Sequence, residues 1–163
     1  MFIVEDGTGL TNSNSYCSVQ DFLDYWNARG ISHDSLDESK IESALVQATQ
    51  YIDRSFRYIG QRPSLEQALN WPRWYAYSPD GFMYSGLPNE IVYATCEATS
   101  LVLNDVQLFV SAESGISEKT ENVGPVQTTY KYKGEQTGRI AYQSVIVYLK
   151  DLIQGRTNRI RRY

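Results

Sequence analysis

The stretch Gln61–Gly81, QRPSLEQALNWPRWYAYSPDG, constrains this chain more than any other. It lies between two strong helical patterns and must connect them. It carries Trp71, Trp74, Tyr75 and Tyr77, and rings of that size bury roughly 150–250 Å² each when covered. Pro63 and Pro72 fix φ and push Arg62 and Trp71 toward extended backbone. The pattern predicts a short helical turn over Leu65–Leu69. An extended run over Trp71, Pro72 and Arg73 would then plug Trp71 between the neighbouring helices. Packing is the first use for such a plug; an aromatic surface that stacks bases or sugars is the second.

A chain of 163 residues, 42% hydrophobic and 21% charged, suits one domain with a real core. No run approaches the ~18 apolar residues of a membrane helix, so no membrane partner is expected. The start, MFIVEDGTGL, has neither the basic residues nor the apolar run of a signal peptide. Cys17 and Cys96 lack metal-ligand spacing, and free buried thiols are expected.

Charge is unevenly distributed. Arg156, Arg159, Arg161 and Arg162 fall in the last eight residues, which contain no acid. The remaining 11 basic and 19 acidic residues leave Met1–Gly155 at a net -8. Such a tail can bind nucleic acid or an acidic partner surface.

Taken in order, Phe2–Val4 is β-prone and stops at the Asp6-Gly7 turn signal. Ser18 with Asp21 forms a capping-box pattern, which predicts a first helix over about Val19–Arg29 with Gly30 closing it. Asp37 is the next N-cap. Ile41, Ala44, Leu45, Ala48, Tyr51, Ile52 and Phe56 make one face of a second helix, about Glu38–Phe56. Pro88 and Glu90 open a third that runs to about Phe109 with a broad apolar face. Residues 116–133 flank Gly124-Pro125 and predict a β-hairpin, marginal unless supported. A final helix over about Ala141–Gln154 precedes RTNRIRRY. The expected fold is mainly α: four helices with a small β-hairpin at about 116–133 in residues 1–155, then an extended basic C-terminal arm over 156–163.

The search for chemistry returns little. His33 is the only histidine and is expected in a solvated loop, so neither a His-rich metal site nor a Ser-His triad has its parts. Walker A and GxGxxG sequences are absent. Asp34, Asp37 and Glu38 suit a solvated helix start better than a Mg²⁺ site. The reading is not an enzyme, with no catalytic residue, metal or cofactor. The best functional candidate is the tail, Arg156, Thr157, Asn158, Arg159, Ile160, Arg161, Arg162 and Tyr163. It reads as a solubilising end, as an arm that folds onto a partner with Ile160 and Tyr163 as anchors, or as a phosphate binder.

Several stretches carry a family resemblance: IVEDGTGLTNSNSY, YWNARG, ALVQATQYIDRSF, QALNWPR, LPNEIVYATCEAT and ENVGPVQTTY. Over about Ile3–Tyr132 the chain resembles the head–tail connector (adaptor) proteins of tailed bacteriophages. Relatives of this type are often labelled DnaT-like single-stranded DNA-binding protein. The resemblance implies an α-helical adaptor core with a small β element. It also implies a structural virion protein of the neck: a homo-oligomeric, dodecameric ring under the portal protein, meeting a downstream neck or tail protein. DNA would pass through such a ring without sequence-specific binding, and assembly would take place in the host cytoplasm. By position and character, Arg156–Tyr163 would dock on the portal. The alternative is a single-stranded DNA-binding protein of the DnaT-like type. Outside the tail, the acidic body shows no basic face interleaved with aromatics.

Overall fold

The structure, a computed structural model, describes residues 1–109, 118–123, 126–131 and 142–154. Among the described residues it is mainly helical, with four helices and two short strands. The chain divides into two compact units, Met1–Leu108 with Ala141–Tyr163, and Phe109–Ile140.

Helix α1, Val19–Asn27, starts on a reciprocal cap. The Ser18 hydroxyl accepts from the Asp21 N–H at 3.0 Å, and the Asp21 carboxylate accepts from the Ser18 N–H at 3.3 Å. At its end Gly30 takes φ +76°. This lets the Gly30 and Ile31 N–H groups donate to the Asn27 and Trp26 carbonyls, both at 3.0 Å. The turn folds the chain back over α1. His33 therefore packs beside Phe22 and Trp26, with ring centres 5.2 and 5.8 Å away, and is not the solvated loop residue its polar neighbours suggest.

Helix α2, Glu38–Ser55, buries Ile41, Ala44, Leu45, Ala48, Tyr51 and Ile52 along one face. Asp37 stands at its N-cap, but the carboxylate accepts from the Ser39 hydroxyl and from no backbone N–H of the helix. Helix α3, Asn89–Leu103, stops six residues short of the expected Phe109. Asp105 adopts φ +59°, and the Asp105 and Val106 N–H groups close onto the Val102 and Leu101 carbonyls at 3.0 Å. That is the usual glycine stop built with an aspartate, which sequence reading passes over.

Helix α4, Gln143–Leu149, is also shorter than its apolar pattern. Ile153 forms an antiparallel bridge with Tyr58, and this pairing takes residues 152–154 out of the helix. Helix α3 packs on α2 and on α4, and α1 touches both α2 and α3. One core cluster gathers Tyr51, Ile52, Tyr58, Trp71, Ile91 and Leu149. A second gathers Phe22, Tyr25, Ile41 and Leu45 around the two cysteines. Cys17 and Cys96 are free and buried, with sulfurs 3.4 Å apart. The Thr95 and Thr99 hydroxyls, buried in α3, donate to the carbonyls one turn back, so burial leaves them partnered.

The opening residues fold around Glu5, whose buried carboxylate accepts from the N–H groups of Gly7, Gly9 and Leu10 and from the Ser13 hydroxyl. This explains the DGTGLTNS composition: short polar residues and glycines let the backbone wrap one carboxylate. In the second unit, strands β1, Glu118–Val123, and β2, Val126–Lys131, pair antiparallel from Val123 opposite Val126 to Glu118 opposite Lys131. The expected arm, residues 156–163, lies outside the described residues, as do Gly124 and Pro125.

Candidate functional site

The segment between α2 and α3 is built outward from α2's last turn. Asp53 accepts from the Asn70 N–H at 2.7 Å and from the Tyr16 hydroxyl, and its own carbonyl accepts from the Asn70 amide at 2.8 Å. The Tyr16 hydroxyl in turn accepts from the Trp71 N–H at 3.1 Å. No helical turn forms over Leu65–Leu69. The Glu66 N–H donates to the Ser64 hydroxyl, and the Ala68 N–H leaves for the Leu10 carbonyl. The buried Gln67 amide donates to the Leu69 and Pro72 carbonyls. Side-chain partners thus replace the helical ladder.

Trp71 is fully buried, edge-on to Tyr58 and Tyr84 at ring-centre distances of 5.9 and 6.0 Å, and Pro72 is buried beside it. Arg73 is half-buried and clamps three carbonyls. Its Nε donates to Ile59 at 2.6 Å, Nη2 to Gly60 at 2.8 Å and Nη1 to Asn70 at 3.2 Å. Burial, and then the nearby Arg62, lower its pKa below the usual guanidinium value.

Past Arg73 the side chains turn outward. Gln61 and Trp74 exchange both backbone hydrogen bonds, at 2.9 and 2.8 Å. Tyr77 bridges Met83, and the Tyr84 N–H donates to the Ala76 carbonyl. Along this ribbon Ala76 is buried while Trp74 is 56%, Tyr75 61%, Tyr77 51% and Phe82 76% exposed, with Met83 beside them; the left-handed Tyr75 interrupts strand alternation, so Trp74 and Tyr75 both face outward. Among the described residues none of these four rings stacks on another ring. Tyr75 also holds φ +56°, a left-handed conformation that a bulky residue adopts only at a cost of about 1–2 kcal/mol. Its exposed ring has little packing to set against that cost.

The charge around the rings differs from the rest of the body. Residues 54–84 hold four arginines against Glu66 and Asp80. Residues 1–53 hold two basic residues against nine acidic ones, and residues 85–109 hold three acids and no base. The exposed aromatics therefore lie on the only net-basic stretch of the first 109 residues. Exposed aromatic rings and arginines within one stretch are features shared by surfaces that bind single-stranded nucleic acid.

The model of a family provisionally described as DnaT-like ssDNA binding protein matches residues 1–163. The chain belongs to this family. No curated protein and no solved structure matches it. The family match overturns the expectation of a phage head–tail connector, together with the virion and neck role attached to it. It favours the single-stranded DNA-binding alternative. The stretches that suggested a connector do structural work here. ALVQATQYIDRSF is the C-terminal part of α2 with its cap Phe56, QALNWPR brings Trp71 into the core, and LPNEIVYATCEAT leads into α3 and forms most of it. Residues spent on a core speak for a fold and not for a virion role.

Of the residues the sequence singles out, Trp71, Pro72 and Arg73 lie together at the base of the ribbon, pointing away from its exposed face. Arg156, Thr157, Asn158, Arg159, Ile160, Arg161, Arg162 and Tyr163 lie outside the described residues. Sequence reasoning named Tyr75 with the other rings of the stretch, with a stacking surface as its second reading, but missed Phe82 and Met83 as surface residues, and Tyr16 and Asp53 as the pair that fixes the loop. The density of aromatic residues continues past Tyr77 to Tyr84, and that is the signal that could have pointed to Phe82 and Met83.

Proposed function

We propose that this chain binds single-stranded DNA, without reading its sequence, on the ribbon of Trp74, Tyr75, Tyr77 and Phe82. The observation that carries this reading is the set of four exposed, unstacked rings on the net-basic stretch of an otherwise acidic body. Membership of the DnaT-like family supports it independently. Every base has a π-face, so stacking tolerates any sequence, and each stacked base contributes about 1–3 kcal/mol. Acidic surroundings disfavour DNA elsewhere on the body and confine the strand to this face. The protein is a binding module and not an enzyme.

Fluorescence anisotropy with an oligo-dT strand tests the reading. The full chain binds at low salt and loosens as salt rises. Trp74→Ala weakens binding by about tenfold or more, the equivalent of one base stack removed. Absence of binding at about 50 mM salt, or a Trp74→Ala affinity equal to the parent's, defeats the proposal.

A further inference from the structure

We infer that Arg62 and Arg73 together form a site for a phosphate group at the base of the ribbon. The strand register places them. Gln61 and Trp74 bridge antiparallel and exchange both backbone hydrogen bonds, at 2.9 and 2.8 Å. One step further along, Arg62 comes opposite Arg73. Successive residues of a strand point to opposite faces, so the two arginines share the face that Gln61 and Trp74 do not use. Residues directly opposite on one face stand about 4.5–5.5 Å apart at Cβ, and like charges there repel. The repulsion is felt at Arg73, whose pKa is lowered by burial first and by Arg62 next.

No carboxylate cancels that repulsion. Among the described residues neither guanidinium forms an ion pair. Arg73 spends three N–H groups on the carbonyls of Ile59, Gly60 and Asn70, and Arg62 spends one on the Gln67 carbonyl at 3.2 Å. A guanidinium carries more donors than either uses here. The Asp53 charge reaches Arg73, but that carboxylate accepts from the Tyr16 hydroxyl and the Asn70 N–H. Both arginines are partly buried, so their carbonyl bonds hold them in place while each keeps contact with solvent. Two opposed guanidiniums with donors to spare call for an anion between them. A carboxylate has oxygens for one fork only. A phosphate group has oxygens for both, and it turns the repulsion into attraction. The group can come from the backbone of a bound strand or from a free phosphate, and the site does not depend on the stacking ribbon.

Thermal melting of the full chain and of Arg62→Gln, in inorganic phosphate and in chloride of matched ionic strength, tests the site. About 10 mM phosphate raises the parent's Tm by about 3 °C more than the variant's. Comparing the two proteins cancels the stabilisation that phosphate gives to any fold. In chloride the variant melts within about 2 °C of the parent or above it, because the lost contact with Gln67 is offset by the removed repulsion. The salt dependence of oligo-dT affinity identifies the source of the group. A log–log slope flatter by about 0.7 in Arg62→Gln assigns the site to a phosphate of the strand. A Tm difference with an unchanged slope assigns it to a free phosphate. Equal phosphate shifts in the two proteins with equal slopes overturn the inference and leave the ribbon standing. Equal shifts with no oligo-dT binding by the parent overturn both readings. A Tm difference without oligo-dT binding removes the ribbon and keeps the phosphate site. A variant that melts far below the parent in chloride overturns the inference by showing Arg62 to be a structural strut.

Discussion

Tyr16 donates its hydroxyl to Asp53 and, through the same oxygen, accepts the backbone N–H of Trp71. One phenol thereby ties the opening segment, the last turn of α2 and the aromatic connection into a single buried junction. Tyr16→Phe removes that oxygen with almost no change of shape. It leaves the Trp71 N–H unpaired and costs about 1–3 kcal/mol. Urea denaturation followed by helical circular dichroism measures it, and a loss below about 0.5 kcal/mol would show that the junction is not holding the connection.

The same junction makes stability sensitive to alkali. Burial first, and then the Asp53 charge, raise the pKa values of Tyr16 and Tyr58 well above the usual 10.0. Both phenols are neutral in the folded and unfolded chains below pH 10, so they add no slope there. Above it the unfolded chain loses these protons while the folded chain keeps them. Stability then falls by about 1.4 kcal/mol per pH unit for each group until the folded pKa is reached. Tyrosinate absorbance from these two should rise together with loss of the helical signal. A stability profile that stays flat from pH 9 to 12 would contradict the burial of both phenols.

Gly60 and Gly30 separate two reasons for keeping a glycine. Both have positive φ, +70° and +76°. A Cβ on Gly30 would meet nothing within 4 Å, but one on Gly60 would stand 2.4 Å from the Trp74 carbonyl oxygen. Gly30→Ala therefore costs about 1–2 kcal/mol of backbone strain. Gly60→Ala costs distinctly more, because the ribbon must also move off the segment beneath it. Equal losses in urea titrations of the two variants would refute the close approach.

Trp71 and Trp74 are three residues apart and divide stability from binding. Trp71→Ala opens a cavity in the core and costs about 3–5 kcal/mol. Trp74→Ala, on an exposed ring, changes stability by no more than about 0.5 kcal/mol and takes away the DNA-quenched part of the fluorescence. A Trp74→Ala destabilisation comparable to that of Trp71→Ala would place Trp74 inside the fold.

Much of the helical frame is legible in the sequence because its signals are local. The apolar face of α2 repeats at helical spacing, and Ser18 with Asp21 writes the start of α1 in one tetrapeptide. The misread ends depend on partners far along the chain or on an unexpected residue. Asp105 ends α3 in a conformation normally left to glycine. Tyr58 draws Ile153 out of the last helix. Leu10 and Ser64 take the N–H groups that a turn at Leu65–Leu69 would use. The site was half visible. A run with two tryptophans and several tyrosines marks the place, but spacing alone cannot say which rings face inward. That division follows from the Gln61–Trp74 pairing and from the Asp53–Tyr16 anchor, both of which join residues more than ten positions apart.

Tyr75 gives the sharpest test of the ribbon, because its backbone conformation works against stability. A left-handed tyrosine costs about 1–2 kcal/mol, and its exposed ring recovers little of that by packing. Glycine relieves the strain but brings about 0.5–1 kcal/mol of extra backbone entropy to the unfolded chain. Tyr75→Gly should therefore leave the protein as stable as before, or more stable by up to about 1.5 kcal/mol. If the ring is kept for stacking, the same substitution weakens oligo-dT binding by about fivefold or more, the low end of one base stack. Asp105→Gly is the control. It relieves the same kind of strain at φ +59°, at the end of α3, and should leave DNA affinity unchanged. Strain that persists at a residue the fold does not need is best explained by function. A Tyr75→Gly protein that gains stability and binds DNA like its parent would remove Tyr75 from the site and leave its conformation unexplained.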